Sequence, residues 1–489
     1  MRKVNLWWGL AVLLCMPLIS MELMPLADTS EPRYAEIARL MVVSGDWITP
    51  WFEPGKPFWG KPVLSFWAQA LAFRALGVNE FAARLPSWLC MLATVLVLTV
   101  YANTVFGKRV AQWSAIIYSS CVLVYVTSGA VLTDPFLVLG TTLCMSSLMM
   151  AGRKQSVFWR YGFFIGVSVG LLAKGPLVLV LVSGPLILWL LPDRNRFSQL
   201  KALPWKKGLL LTAIISLPWY ILAEIKTPGF LNYFIIGEHF LRYIDPGWQG
   251  DLYGTAHQNR YGTIWWFWLQ ATFPWGLLAI ALLLPVFFRK GWRMALKPVP
   301  VSSEISYLLV WALFTPLFFT FSGNILWTYV LPCIGAFSVL MAIGWLKWVD
   351  RVQSRFASMT GWAAGIVPLV LLLLSLVVHL NPGLLKTERE LIHFAERQEV
   401  KESVYYVDER PFSARFYSGG KAGLLKMDEL SAKLAGSDQP LLLAVPKKRL
   451  DMVSPVLLQL LQKRFENKRY VLFERKPLAG RHRLSVTAN

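Results

Sequence analysis

The stretch that decides the fold is LWWGLAVLLCMPLISMELMPL, residues Leu6 to Leu26, which runs directly into the polar segment ADTSEPRYAEI, residues 27–37. The apolar part is long enough to cross about 30 Å of hydrocarbon as a helix. No small-residue cleavage site ends it, so we expect an uncleaved first span rather than a signal peptide. The nine positions 28–36 contain three carboxylates and one arginine, namely Asp28, Glu31, Arg33 and Glu36.

The composition of the whole chain agrees with a polytopic membrane protein. Of its 489 residues 55% are hydrophobic, 23 are Trp and only 16% are charged, which is too apolar for a soluble enzyme of this size. The net charge of +21 does not indicate nucleic acid as a partner, because the basic residues are dispersed among short loops. The five cysteines stand singly in apolar segments, so we expect neither a structural disulfide nor a thiolate metal cluster: Cys15, Cys90, Cys121, Cys144 and Cys333.

Working outward from the first run, apolar segments of spanning length recur along the chain. They predict an all-α bundle of about eleven spans. The predicted spans are 6–26, 81–106, 110–128, 132–151, 161–173, 176–191, 208–223, 261–288, 305–321, 325–346 and 359–380.

Every second connection between these spans is basic, and this pattern predicts the orientation. These connections carry nineteen Lys or Arg residues against only three carboxylates, Asp193, Glu304 and Asp350. By the positive-inside rule they face the cytoplasm, together with the N-terminus. The basic residues are Arg2, Lys3, Lys108, Arg109, Arg153, Lys154, Arg160, Arg194, Arg196, Lys201, Lys206, Lys207, Arg289, Lys290, Arg293, Lys297, Lys347, Arg351 and Arg355.

The opposite side of the membrane then receives the first long loop (27–80), the second long loop (224–260) and the tail after Asn381. In the first long loop the spacing predicts a helix over Glu31 to Val43 and an interfacial helix over Pro62 to Leu76. We therefore predict a transmembrane domain over 1–381 and a small α/β domain over 382–489. The predicted strands of that domain are 403–407, 441–445 and 470–473, and its predicted helices are 387–398, 427–434 and 455–465.

Ionisable residues at a membrane boundary are costly, so each of them calls for a reason. Asp134 in VLTDPF is either a helix N-cap or a functional carboxylate. Lys174 in LLAKGPL and Lys61 in FWGKPVL either extend to lipid headgroups or bind an anionic ligand.

The second long loop contains a further group of this kind, GEHFLRY, which carries Glu238, His239 and Arg242. Glu238 and Arg242 are four residues apart, so in a helix they can simply pair, and the alternative is a phosphate-binding arginine. What all these residues share is their predicted side of the membrane. Cations there suit a phosphate headgroup, and carboxylates there suit a general base.

Six motifs, taken in their order along the chain, resemble the bacterial aminoarabinose transferase (ArnT) family. That family belongs to the polytopic GT-C glycosyltransferases, as do the protein O-mannosyltransferases. The resemblance covers about residues 1–350. The motifs are EPRYAEIARLMVVSGDWITP (31–50), KPFWGKPVLSFW (56–67), NEFAARLPS (79–87), VLTDPF (131–136), LLAKGP (171–176) and GEHFLRY (237–243).

The resemblance implies roles for particular residues. The acidic pair after the first span is the catalytic centre of such enzymes. Glu31 matches one member, but Ser30 stands where the aspartate is expected and Asp28 lies two residues earlier, so either Glu31 or Asp28 is the active carboxylate. Asp134 matches the second acidic residue. The donor phosphate is expected to bind Arg33, Lys61, Lys174 and Arg242, and the other candidates are Tyr34, Glu238 and His239.

Three departures from the family pattern bear on the sugar more than on the reaction. Gly60 replaces a glutamate that the family links to a metal site, so no metal ligand is predicted here and no cofactor is indicated. The family motif K-L-P-T-Y appears as ILWTY, Ile325 to Tyr329. The family has thirteen spans, whereas eleven are counted here.

The sequence therefore predicts an inverting glycosyltransferase of the bacterial inner membrane, with its active site and its C-terminal domain on the periplasmic side. The expected donor is a sugar on undecaprenyl phosphate, with 4-amino-4-deoxy-L-arabinose as one candidate. The expected acceptor is lipid A or another glycan or protein, and we expect a monomer in contact with membrane lipid. A transporter or flippase of polyprenyl-linked saccharides is the alternative, although the predicted spans carry almost no charge at mid-depth.

Overall fold

A computed structural model describes residues 6–154, 156–245, 247–254, 257–288, 302–352, 356–398, 403–436 and 441–475. The end of the predicted C-terminal domain lies outside the described residues. So do seven basic residues used above for the orientation: Arg2, Lys3, Arg289, Lys290, Arg293, Lys297 and Arg355.

The described residues are mostly helical. The helices as far as the second long loop are Leu6–Leu23, Ser30–Ser44, Leu64–Leu76, Glu80–Phe106, Lys108–Ser120, Val122–Ser128, Asp134–Ala151, Val157–Lys174, Leu177–Leu190, Arg194–Phe197, Ser198–Lys201 and Trp205–Lys226. The later ones are Asn232–Leu241, Arg242–Ile244, Thr263–Ala271, Trp275–Phe288, Ser303–Phe319, Trp327–Val330, Leu331–Val352, Phe356–Leu380, Pro382–Leu384, Arg389–Arg397, Phe412–Tyr417, Met427–Glu429, Leu430–Gly436, Lys447–Met452 and Pro455–Gln459.

Each of the eleven predicted spans coincides with apolar helix, so the predicted membrane bundle is confirmed. Seven described helices are long and apolar enough to cross a membrane, and two more candidates are pairs bent by 70° and by 108°. The bent pairs are Lys108–Ser120 with Val122–Ser128, and Thr263–Ala271 with Trp275–Leu284. The remaining two predicted spans are the shorter apolar helices Leu177–Leu190 and Ser303–Phe319.

Two neighbouring helices, Asp134–Ala151 and Val157–Lys174, pack with their backbones in close approach. A Cβ atom added at Gly140 would lie 2.7 Å from the carbonyl oxygen of Gly166, so a larger residue would force the helices apart. Because a short turn joins them, the helices are antiparallel, and the start of the first lies beside the end of the second. This packing brings Asp134 and Lys174 to the same end of the pair.

The chain divides into two compact units. The first unit is Met1–Leu23 with Ile37–Leu376, and the second unit is Met24–Glu36 with Val377–Asn489. The domain boundary predicted at residue 381 stays a prediction. The C-terminal segment of the second unit begins at Val377, and residues 24–36, which follow the first span, belong to the same unit.

The first unit contains a small hairpin that was not predicted, β1 (Trp51–Glu53) with β2 (Lys56–Pro57). The second unit contains a five-stranded sheet in the order β4-β3-β5-β7-β6. Strand β3 pairs in parallel with β4 and β5, whereas β5 and β6 pair antiparallel with β7. These strands are β3 (Val404–Val407), β4 (Gly423–Leu425), β5 (Leu442–Pro446), β6 (Leu461–Glu466) and β7 (Tyr470–Arg475).

Apolar side chains cover both faces of this sheet. Tyr406 and Ala444 pack on one face, while Val407 and Leu443 pack on the other. The predicted small α/β domain is thus present, with one local error. The predicted helix over 455–465 ends at Gln459, and the residues from Leu461 onward form the edge strand β6. The exposed side chains of β6 lack the alternation by which buried strands are recognised.

Candidate active site

The packed helices place the first pair of candidate residues. Asp134 is the first residue of its helix, following the N-cap residue Thr133, and Lys174 is the last residue of the neighbouring helix. The Lys174 Nζ donates to Asp134 Oδ1 at 3.1 Å, and both side chains are buried. A carboxylate at a helix start and an ammonium at a helix end are each favoured by the helix dipoles. The paired lysine therefore stays in the protein instead of extending to headgroups.

A second group of charges centres on Glu238. This carboxylate lies 3.2 Å from Lys61 Nζ and 3.1 Å from Arg242 Nη1. The i,i+4 pair between Glu238 and Arg242 forms at the end of the helical segment Asn232–Leu241. Lys61 of the first long loop joins this pair. Asp251 lies 3.7 Å from the same arginine. Tyr233 Oη completes the shell of Glu238 at 3.3 Å.

The charges around Glu238 determine its protonation state. Burial alone would raise the pKa of this carboxyl, but Lys61 and Arg242 outweigh burial, and the pKa lies below its ordinary value. Burial alone would lower the pKa of the Arg242 guanidinium, but Tyr329, Glu238 and Asp251 outweigh burial and raise it, so the guanidinium stays charged. Glu238 and Arg242 are therefore both ionised in the neutral range.

His239 joins the second long loop to the helix that ends at Lys174. Its Nδ1 lies 2.8 Å from the carbonyl oxygen of Phe234, and its Nε2 lies 2.8 Å from the carbonyl oxygen of Lys174. Burial holds the pKa of His239 below its ordinary value, although the two carbonyl oxygens act in the opposite direction. A neutral imidazole donates from one nitrogen only, so both contacts are hydrogen bonds only in the protonated ring.

Lys61, Lys174, Glu238, His239 and Arg242 line one cavity of about 150 Å³ in the first unit. Lys61, Lys174 and Arg242 supply its cations, and Pro176, Leu177, Val180, Phe318 and Phe319 supply an apolar wall. The two long loops and the ends of the spans contribute to it together. Tyr329 also lines the cavity, with its ring centre 5.7 Å from Lys174 Nζ.

Two buried donors of the cavity lining have no acceptor among the described residues. They are Arg242 Nε and Asn324 Nδ2, and the Asn324 side chain is held from behind, since its Oδ1 accepts from the His257 amide at 3.2 Å. A buried donor without a partner is costly, so an acceptor on a bound ligand is the natural complement of this pair. Asn324 itself is only 3% exposed.

The other predicted site residues belong to the second unit. Asp28 is bound there by Ser413 and Arg469, as detailed below. Glu31 lies in the first turn of the helix Ser30–Ser44, and its Oε2 is 3.4 Å from the amide nitrogen of Ala27. Arg33 places its guanidinium carbon 5.1 Å from the centre of the Tyr34 ring and 5.7 Å from that of the Phe412 ring.

Comparisons with known proteins agree with this architecture. The Dolichyl-phosphate-mannose-protein mannosyltransferase family matches residues 13–234. Two curated relatives, from Pseudomonas fluorescens and Edwardsiella ictaluri, are undecaprenyl phosphate-alpha-4-amino-4-deoxy-L-arabinose arabinosyl transferases, each 30% identical. The crystal structure of ArnT from Cupriavidus metallidurans bound to undecaprenyl phosphate superposes with a TM-score of 0.79 at 18% identity, over 97% of this chain and 98% of that one. The chain is an ArnT-like protein of the GT-C fold.

The family resemblance predicted from the sequence is thereby confirmed. The alignments with the two curated relatives cover 68% and 70% of this chain, which spans only 56% and 60% of the length of those proteins. The comparisons therefore show the fold and the likeness to ArnT, while the activity of this ArnT-like chain has to be argued from its own residues.

The metal site that the ArnT resemblance suggests does not fit the residues present here. A Cβ atom at Gly60 would lie 2.9 Å from Phe58 Cζ, so the family glutamate has no room without a shift of that ring. In the part of the chain that the structure describes, no three His, Cys, Asp or Glu side chains are grouped as metal ligands. The nearby Glu238 is already shared by two cations.

Among the residues that were not predicted as site residues of this ArnT-like protein, Tyr329 and Asn324 line the cavity and Asp251 contacts Arg242. Tyr329 had a signal in the sequence, since it ends the ILWTY counterpart of a family motif. Asn324 immediately precedes that motif. Asp251 had no signal, because its contact with Arg242 depends on how the second long loop folds back.

Proposed function

We propose that this protein is an inverting glycosyltransferase that moves a sugar from undecaprenyl phosphate to an acceptor at the membrane surface. The observation that carries the proposal is the cavity, in which three cations and two unpartnered donors face an apolar wall. Phosphate oxygens suit the cations and the donors, and polyprenyl carbon suits the wall. The named activity of the curated relatives supports the same donor class.

In the proposed reaction an acceptor oxygen attacks the anomeric carbon while the bond from that carbon to the phosphate oxygen breaks. The electron pair of the broken bond stays on the phosphate, whose growing charge Lys61, Lys174 and Arg242 stabilise. Arg242 and Lys61 carry more N–H donors than Glu238 uses, so phosphate can bind to them in competition with that carboxylate. A single displacement inverts the configuration of the sugar.

Glu31 and Asp134 have distinct proposed roles. Glu31 orients the acceptor and takes up its proton when the acceptor is a hydroxyl, whereas an anionic phosphate acceptor needs little base. Asp134 holds Lys174, with which it shares a hydrogen bond. The assignment of Glu31 rests on the family resemblance and on the engagement of Asp28 elsewhere.

The proposed setting is the bacterial inner membrane, with the N-terminus in the cytoplasm and the cavity and second unit on the periplasmic side. The proposed acceptor is lipid A, and 4-amino-4-deoxy-L-arabinose is the first sugar to test because the relatives are named for it. The protein is proposed to act as a monomer in contact with membrane lipid.

The test reconstitutes the purified full chain in liposomes with an undecaprenyl-phosphate-linked sugar and lipid A, and follows the lipid A mass by mass spectrometry. Lys61→Ala is expected to lower transfer about a hundredfold, because one donor to the developing anion is lost. Lys56→Ala, an exposed lysine of the same loop, serves as the matched control and retains activity.

Two results would contradict the proposal. One is a wild-type protein that transfers no sugar from any of a panel of undecaprenyl-phosphate sugars, and the other is equal transfer by the two lysine variants. Movement of the labelled donor between leaflets without sugar transfer would favour the flippase instead.

A further inference from the structure

The chain between the first span and the first helix of the long loop is tied at several points to the C-terminal part of the second unit. The Leu26 amide donates to Tyr417 Oη at 2.7 Å, and the Asp28 amide donates to the carbonyl oxygen of Lys386 at 2.8 Å. The Asp28 carboxylate accepts from the backbone amide of Ser413 at 2.8 Å and from its hydroxyl at 2.7 Å.

A single arginine fastens the same carboxylate to a second, buried acid. Arg469 Nη2 lies 2.8 Å from Asp28 Oδ2 and 2.8 Å from Glu388 Oε1. Glu388 also accepts from Asn467 Nδ2 at 2.8 Å, and the Glu388 amide donates to Ser413 Oγ at 3.1 Å. We call Asp28, Ser413, Arg469 and Glu388 the clamp.

The geometry of the clamp is unfavourable for Asp28 as the reactive carboxylate. Both of its oxygens already accept hydrogen bonds from Ser413 or Arg469, and its side chain is only 4% exposed. An acceptor hydroxyl would have to displace these donors to reach it. The helix Ser30–Ser44 begins two residues later, so whatever fixes Asp28 also fixes the start of the helix that carries Glu31.

We propose that the C-terminal part of the second unit is a positioning part of the transferase, which holds the catalytic segment through the clamp, with Asp28 as its anchor and Glu31 as the carboxylate that acts. This inference rests on the proposed function and deepens it. It also accounts for the serine at position 30, where the family has an aspartate, because Asp28 anchors the segment while Glu31 reacts.

The test measures steady-state transfer by the full chain and hydrogen exchange of residues 24–36 in the same samples. Ser413→Ala and Arg469→Gln are expected to lower kcat about tenfold to a hundredfold, since a displacement of about 1 Å at a catalytic group has effects of this size. The KM for the donor is expected to stay within about twofold, because the donor cavity keeps its own residues. Exchange of 24–36 is expected to speed up in both variants.

Two carboxylate variants separate positioning from catalysis. Asp28→Asn is expected to lower kcat and to speed up exchange of 24–36, whereas Glu31→Gln is expected to lower kcat while exchange of 24–36 stays at the wild-type rate. Arg469→Lys, which keeps a cation, is expected to recover part of the loss. Arg464→Gln, on β6 and paired with Glu474, is the matched control and leaves both readouts unchanged.

The inference is overturned if the clamp variants exchange 24–36 at the wild-type rate, or if Asp28→Asn lowers kcat while exchange of 24–36 stays unchanged. The exchange measurement needs no turnover, so it decides about the clamp even if the wild-type protein transfers no sugar. In that case the proposed function fails separately.

Discussion

At the scale of single residues, Glu238 governs the charge that a ligand meets in the cavity. One carboxylate neutralises Lys61 and Arg242 at distances near 3 Å. A phosphate entering the cavity competes with this carboxylate for the same two cations. The residue therefore stabilises the empty site and weakens binding of an anion.

We predict that Glu238→Gln binds undecaprenyl phosphate about tenfold more tightly than the wild-type protein, equivalent to about 1.4 kcal/mol of binding free energy. The empty variant is expected to unfold at a lower temperature, since removing one partner of a buried pair costs about 3 kcal/mol. Binding is measured by calorimetry in detergent, and unfolding by a thermal scan of the same sample.

The pH dependence of this effect follows from the pKa of Glu238, which is held below its ordinary value of 4.5. The carboxyl therefore stays charged above that pH, and its contribution to stability is present there and is lost as the pH falls through the depressed pKa. Glu238 itself should accordingly add no pH dependence to the difference in affinity between the two proteins from about pH 6 to 8. Glu224→Gln, in the same long loop but bound to backbone amides, is the control. Equal affinities would show that Glu238 does not compete with the ligand.

Residue contacts were predictable from the sequence only where spacing is local. Glu238 and Arg242 are four residues apart in one helical segment, so their pairing was one of the two stated possibilities. The contact between Asp28 and Arg469 joins positions separated by almost the whole chain, and no local pattern encodes it. The sequence therefore left Asp28 and Glu31 as equal candidates.

At the scale of elements, one tyrosine ties the two long loops beside the cavity. Tyr253 Oη donates to the carbonyl oxygen of Pro57 at 2.8 Å and accepts from the Trp59 amide at 3.0 Å. Its ring packs against Phe58, with centres 4.6 Å apart. Lys61 follows this tied segment, so its position depends on the tie.

We predict that Tyr253→Phe lowers the free energy of unfolding by about 1 kcal/mol, because a half-buried amide and a half-buried carbonyl lose their partner while the ring stays packed. The KM for the donor is expected to rise as Lys61 loses its fixed position. Thermal unfolding and steady-state kinetics in detergent measure the two effects. Tyr261→Phe, at an exposed ring of the same region, is the control. If both variants unfold alike, the tie contributes nothing.

Helices were predictable from the sequence where a run of apolar residues is both long and continuous. All eleven apolar runs coincide with helices, because the length and hydropathy of a span are properties of one segment. The bend between Ser120 and Val122 and the hairpin of β1 and β2 were not predicted. A bend of this kind depends on neighbouring helices, and two-residue or three-residue strands are too short to show a period.

At the scale of the whole molecule, the charge distribution predicts how the chain sits in the membrane. The helices Asp134–Ala151 and Val157–Lys174 have the cavity residues at one end and the connection containing Arg153 and Lys154 at the other. A basic connection is retained in the cytoplasm by the positive-inside rule. The cavity end is therefore predicted to face the periplasm, together with the first long loop.

We predict that a membrane-impermeant maleimide labels Lys56→Cys and Lys468→Cys in spheroplasts, and labels Arg194→Cys and Lys207→Cys only after lysis. All four positions are exposed, so the difference in labelling reports the side of the membrane and not burial. The wild-type protein controls for its own thiols, of which four are buried and Cys15 lies within the first span. Labelling of Arg194→Cys in intact spheroplasts would reverse the orientation and place the cavity on the cytoplasmic side, where a periplasmic acceptor cannot reach it.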